Sequence, residues 1–121
     1  MSVAQNRLPD PFELRAPSLD VSVDAREGTL HLAGTLDQHT VPTFHAAVSR
    51  LLDQVRRRLV IDVEELDACD VTGLRALSVA YRRTLVHGRR VVLIGAPPWL
   101  CRALHRIRLD AHVLEDQRPA G

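Results

Sequence analysis

Two nearly continuous apolar runs, RLVIDV at residues 58–63 and RVVLIGA at residues 90–96, stand on either side of a segment with the period of an amphipathic helix. Each run has the length of a buried strand, the first reading as a strand covered on both faces, and the spacing between them allows a helix but no hairpin. Two strands joined through a helix lie parallel with a right-handed crossover, because only that hand returns the chain onto the twisted sheet. The chain is therefore read as α/β. In front of the first run, Leu19, Val21 and Val23 alternate with Asp20, Ser22 and Asp24, REGT makes a turn, and Leu30, Leu32 and Leu36 follow. That is a hairpin pattern.

Helical periodicity fills the gaps. Phe44, Ala47, Val48, Leu51, Leu52 and Val55 recur at i, i+3, i+4, i+7, i+8 and i+11, with Thr40 as N-cap and Pro42 in the first turn. After the loop EELDACD, a second helix is expected to bury Leu74, Leu77, Tyr81 and Leu85 and to stop at Gly88. A third, PPWLCRALHRI, would turn Leu100, Ala103, Leu104 and Ile107 inward, and AHVLED reads as a last short strand. The expected order is β-β-α-β-α-β-α-β, a mixed sheet of four to five strands with helices mainly on one face. Residues 1–17, which contain three prolines, read as an N-terminal arm with FELR extended along the domain edge, residues 18–116 as the domain, and residues 117–121 as a flexible tail.

The 121 residues suffice for one core. All sixteen basic residues are arginine, and the formal charge of +1 gives no field for nucleic acid or an anionic membrane. No apolar run reaches the roughly 20 residues of a membrane span. The N-terminus lacks the pattern of a signal peptide, and two distant cysteines fit a reducing compartment, so the expected location is the cytoplasm.

Few constellations carry chemistry. Asp62 interrupts a strand and reads as a sheet-edge or loop-capping carboxylate. The histidines His31, His39, His45, His87, His105 and His112 form no ligand set, and Cys101 with His105 lacks the further ligands that zinc requires. A phosphate-binding loop and a nucleophile elbow are both missing. Trp99 sits near Arg102 and Arg106 on the third helix and reads as packing. Neither a metal nor a cofactor is expected, and the chain does not read as an enzyme. What stands out is DACDVTG. Asp70 is placed to accept from the N–H of Thr72 or Gly73, and the positive end of the helix favours its charge. Val71, Arg75, Ser78 and Arg82 form one stripe opposite the leucines, so Val71 is expected to face solvent or a partner.

Three stretches together carry a resemblance. AGTLDQHT (33–40) looks like the G-x-L-D-x-x-T signature of the anti-sigma factor antagonists, the bacterial branch of STAS domains; LVIDVEELDACDVTGLRAL (59–77) is similar to their strand, loop and D-S-[ST]-G-L segment; and HGRRVVLIGAPPWLCRAL (87–104) matches in kind. The resemblance spans residues 19–115. It implies a binding module that captures an anti-sigma factor, typically a serine kinase, and so regulates sigma-factor-dependent transcription. In the family the kinase phosphorylates the serine after the aspartate, which releases the antagonist. By position Asp37 matches the aspartate near the switch, Asp70 the aspartate of the switch motif, Val71 the phosphorylated serine and Thr72 the residue after it. The implied partner-binding set is Asp37, Asp70, Val71, Thr72, Arg75 and Ser78. Val71 cannot be phosphorylated, and Thr72 is the alternative acceptor. A second departure is Arg108, where the family usually has a glycine before Leu109. The resemblance also admits a STAS subunit of a larger assembly, such as a stress-signalling complex or a lipid-transport ATPase.

Overall fold

A computed structural model of the chain describes residues 18–54 and 58–114. The arm at residues 1–17, Val55 and the tail lie outside them. β1 (Leu19–Asp24) and β2 (Thr29–Leu36) form the antiparallel hairpin, with Leu19 opposite Gly34 and Asp24 opposite Thr29. α1 (Val41–Leu52) leads to β3 (Arg58–Cys69), α2 (Val71–Val86) to β4 (Arg90–Ile94), and α3 (Pro98–Arg106) to a single-turn helix α4 (Asp110–Val113). The sheet order is β1-β2-β3-β4, and both β2–β3 and β3–β4 are parallel.

The core lies between one sheet face and the helices. Leu30, Leu32 and Leu36 from β2, Leu59, Ile61 and Val63 from β3, and Val91 and Leu93 from β4 meet Phe44, Val48 and Leu51 of α1, Leu77 and Ala80 of α2, and Leu100 and Leu104 of α3 in one cluster. α1 is amphipathic as its spacing predicts, with Phe44, Ala47, Val48, Leu51 and Leu52 all buried. Arg83 of α2 ties the two helices by donating to the Ser49 hydroxyl and the His45 carbonyl.

Several expectations are corrected. β3 does not end at Val63 but runs on through EELDAC, because β2 is long enough to pair with it as far as Leu36–Cys69. Nor is β3 covered on both faces. Leu59, Ile61 and Val63 are fully buried, whereas the alternate positions Val60 and Asp62 are only half-buried. Asp62 lies on that other face, where its carboxylate accepts from the Glu64 N–H and stands 3.2 Å from the His31 ring. The described part of AHVLED, residues 111–114, forms no strand. Asp110–Val113 makes one helical turn, its Asp110 carboxyl held below the usual range chiefly by the His105 ring, and only Leu114 forms a parallel bridge, to Leu93. The order is thus β-β-α-β-α-β-α-α.

On α2 the inward face is Gly73, Ala76, Leu77, Ala80 and Thr84. Leu74 and Tyr81 lie half-buried beside it, and Leu85 is exposed. The small residues let α2 approach the sheet closely, which turns the leucine at 85 outward. Thr84 is fully buried because its hydroxyl donates to the Ala80 carbonyl, four residues back. On α3, Leu100 and Leu104 are buried, but Ala103 is half-buried and Ile107, just past the last turn, is exposed. Trp99 packs against the core edge.

Candidate functional site

The site is built where β2 and β3 end together. Leu36 and Cys69 are register partners, and each is followed by an aspartate. At the carboxyl ends of parallel strands the chain must turn and begin a helix, which leaves the N–H groups of each first turn unpaired. Asp70 answers that need with its side chain, whereas Asp37 orders the turn just before α1 and meets the helix only through its backbone carbonyl, which accepts from the Val41 N–H at 2.9 Å.

Asp37 is only 8% exposed. Its Oδ1 accepts from the N–H of His39 (2.9 Å) and of Thr40 (3.2 Å), while its own N–H donates to the Thr40 hydroxyl at 2.9 Å. That is a reciprocal box of the capping type. The Thr40 hydroxyl in turn donates to the Thr35 carbonyl at 2.8 Å. Thr40 therefore stands at the N-cap position of α1 without capping it through its side chain. It pins the turn to the strand instead. Asp37 belongs to the frame beneath the surface rather than to the exposed face.

Asp70 takes the role its position predicts. It is the N-cap of α2, with extended backbone, and its Oδ1 accepts from the Gly73 N–H at 2.8 Å. Its own N–H donates to the Leu36 carbonyl at 3.3 Å, which joins the two strand ends. Gly73 is required here by close approach. A Cβ at this position would lie 2.3 Å from the Leu36 carbonyl oxygen and 2.8 Å from the Cys69 sulfur. Burial first, and the Asp70 carboxylate second, push the Cys69 thiol from 9.0 up to about 12, which disfavours the nucleophilic thiolate.

The first residue of α2 is Val71, and it is 69% exposed. The N–H groups of Val71 and Thr72 have no partner within the helix. Thr72 is half-buried, Arg75 is exposed and Ser78 is half-buried. The expected stripe Val71, Arg75, Ser78 and Arg82 is present as one surface. It forms a wall of a groove of about 440 Å³, together with Leu74 from α2 and Ala103, Arg106 and Ile107 from α3 and its end. Of the six residues implied as partner-binding, the structure brings Val71, Arg75 and Ser78 into this groove and sets Asp70 and Thr72 at its head. Asp37 is buried and does not line the groove.

The opposite wall was not legible. Arg106 and Ile107 carry no local pattern that assigns them to α2 rather than to solvent. Gly73 stood in the motif, but nothing local shows that a carbonyl of β2 passes within contact of it. No group of three or more metal-ligating side chains occurs among the described residues.

The family model described as Mlab, STAS domain matches residues 19–115. No curated protein matches the chain. Among solved structures, an anti-sigma factor antagonist from Mycobacterium paratuberculosis shares 23% identity over 88% of this chain and 87% of that one, with a TM-score of 0.61. The anti-sigma factor antagonist SpoIIAA in its unphosphorylated form shares 19% identity over 83% and 89%, with a TM-score of 0.59. The phosphorylated form of SpoIIAA, described as a Bacillus cell fate determinant, shares 21% identity over 83% and 92%, at 0.56. At these identities the likeness is one of fold.

Proposed function

The chain belongs to the STAS domain family, and from that membership we propose that it is an anti-sigma factor antagonist that binds an anti-sigma factor of the serine-kinase type in the cytoplasm and regulates sigma-factor-dependent transcription, without a covalent switch at the head of α2. The observation that carries the reading is Val71. It occupies the first turn of a helix capped by Asp70, where the family's serine would stand, and it is presented to solvent rather than packed. An exposed valine beside Leu74 offers apolar contact to a partner and no oxygen for phosphoryl transfer. Thr72, one residue on, is turned about 100° around the helix axis and is half-buried, which is poor geometry for in-line attack. The protein acts by binding rather than by turnover.

The test is a pull-down from the source cell, followed by incubation of the captured kinase with ATP and intact-mass analysis. Wild type should gain no phosphate and Val71→Ser should gain one. Phosphate on wild type that disappears in Thr72→Ala would make Thr72 the switch. Val71→Asp should release the partner, because a carboxylate would then be forced into an apolar contact.

One observation favours a second reading, a STAS subunit of a larger assembly. Leu85 and Val86, at the far end of α2 and about 22 Å along its axis from Val71, are also exposed. A partner lost by Val86→Asp but kept by Val71→Asp would select that reading.

A further inference from the structure

We infer that the groove between α2 and α3 receives an acidic amphipathic helix of the partner, gripped by Arg75, Arg82 and Arg106 over an apolar floor. The inference rests on the reading of the chain as a partner-binding module and specifies the chemistry of that partner.

Three features lead there. First, the groove mixes apolar surface from Val71, Leu74 and Ile107 with three guanidinium groups, and no carboxylate of the described residues lines it. Second, none of the three guanidiniums has a hydrogen-bond or ion-pair partner among the described residues, in contrast to Arg83, which is held by Ser49 and His45. Covering the groove with a neutral surface would strand three charges away from water, so an occupant that closes it must bring anions. Third, Arg75 and Arg82 are seven residues apart, two turns or about 10.5 Å along α2, and Arg106 reaches in from the other wall.

A single anionic headgroup cannot meet cations spread over that length. Carboxylates at i, i+3 or i+4, and i+7 on one helix can, and the apolar residues between them would rest on Leu74 and Ile107. A helix laid in a groove between two helices is an established mode of peptide recognition. Arginine, with its planar fork, is suited to such carboxylates.

The test uses the full chain and a fluorescein-labelled designed helical peptide with glutamates spaced over two turns beside a leucine stripe. Its counterpart has glutamine in place of each glutamate. Anisotropy titration should show binding of the glutamate peptide that weakens as salt rises. The glutamine peptide should bind at least about tenfold more weakly. Arg82→Glu and Arg106→Glu should each cost a similar factor with an unchanged far-UV spectrum. A lysine version of the peptide should regain binding to the Arg75→Glu/Arg82→Glu double variant, a rescue that a merely unfolded variant would not give. Equal binding of the glutamate and glutamine peptides, or binding of neither, would overturn the inference. Displacement of the glutamate peptide by decanoate at matched carboxylate concentration would also overturn it and make the groove a site for an anionic amphiphile. The two readings fail separately. An anti-sigma factor captured equally by wild type and the charge-reversed variants leaves the proposed function standing and removes the groove. Specific binding of the acidic peptide with no anti-sigma factor in the pull-down does the reverse.

Discussion

Two residues show how local chemistry is set by neighbours. α2 and α3 end the same way. Behind α2, Gly88 at φ 75° donates its N–H to Leu85 and the N–H of Arg89 reaches back to Thr84; behind α3, Arg108 at φ 61° donates to His105 and Leu109 reaches back to Leu104. Both are Schellman turns, which need a left-handed residue, and glycine adopts that conformation without the Cβ penalty. Arginine at 108 bears a cost of about 1 kcal/mol. Arg108→Gly should therefore raise stability by up to about that amount, read as a higher urea midpoint, whereas Arg108→Ala should give no gain. The Cys69 thiol supplies a second prediction at this scale. Its folded pKa of about 12 lies above the ordinary 9.0, so the folded state holds the proton more tightly than the unfolded one. The resulting stability is complete below about pH 9 and is lost as pH rises from there toward 12. Melting curves across that window should fall more steeply for wild type than for Cys69→Ala, and iodoacetamide should alkylate Cys69 slowly at pH 8. A glycine missing before Leu109 was legible in the sequence as a departure from the family. That the residue there has a positive φ was not, since backbone conformation at a helix end depends on where the next element docks.

At the scale of elements, helix α2 decides most. Its sequence offers two apolar stripes, and periodicity alone takes the larger side chains as inward. The structure instead buries Gly73, Ala76, Leu77, Ala80 and Thr84 and leaves Leu85 48% exposed. Leu77→Ala should open a cavity costing roughly 2–5 kcal/mol, and Leu85→Ala should cost about 0.5 kcal/mol or less. Parallel urea titrations check both, and equal losses would mean that the helix is rotated from its observed setting. The same setting turns Val71, Arg75, Ser78 and Arg82 toward α3. The cap at Asp70 and the exposure of Val71 were legible because capping is local: one carboxylate, three residues and one N–H. β3 was not legible beyond Val63, because EELDAC lacks strand character of its own and is held extended by pairing with β2.

For the molecule as a whole, one continuous cluster joins β2, β3 and β4 to all four described helices. No element of the described residues has a separate core on which it could persist alone. Equilibrium unfolding should accordingly be a single transition, with far-UV and near-UV signals coincident in urea. Two resolved transitions would mean that the α3–α4 end separates from the rest. No helix among the described residues is long and apolar enough to cross a membrane. The candidate surface starts at one end of the sheet, at the carboxyl ends of β2 and β3. Helix starts converge at that edge in parallel α/β layers, and their unpaired N–H groups and caps converge with them.

The sequence by itself determined the class, the hairpin, the parallel crossover from β3 to β4, the capped helix start and the absence of a hydroxyl at residue 71. Each is written in spacing or in a single side chain, and spacing and chemistry are local. Tertiary structure alone decided how far β3 extends, that the last segment is a helical turn, that Asp37 lies beneath the surface, that Gly73 must be bare, and that Arg106 and Ile107 complete a groove with α2. Those outcomes depend on which backbone passes within a few ångströms of which other, a distance that no stretch of the chain encodes alone.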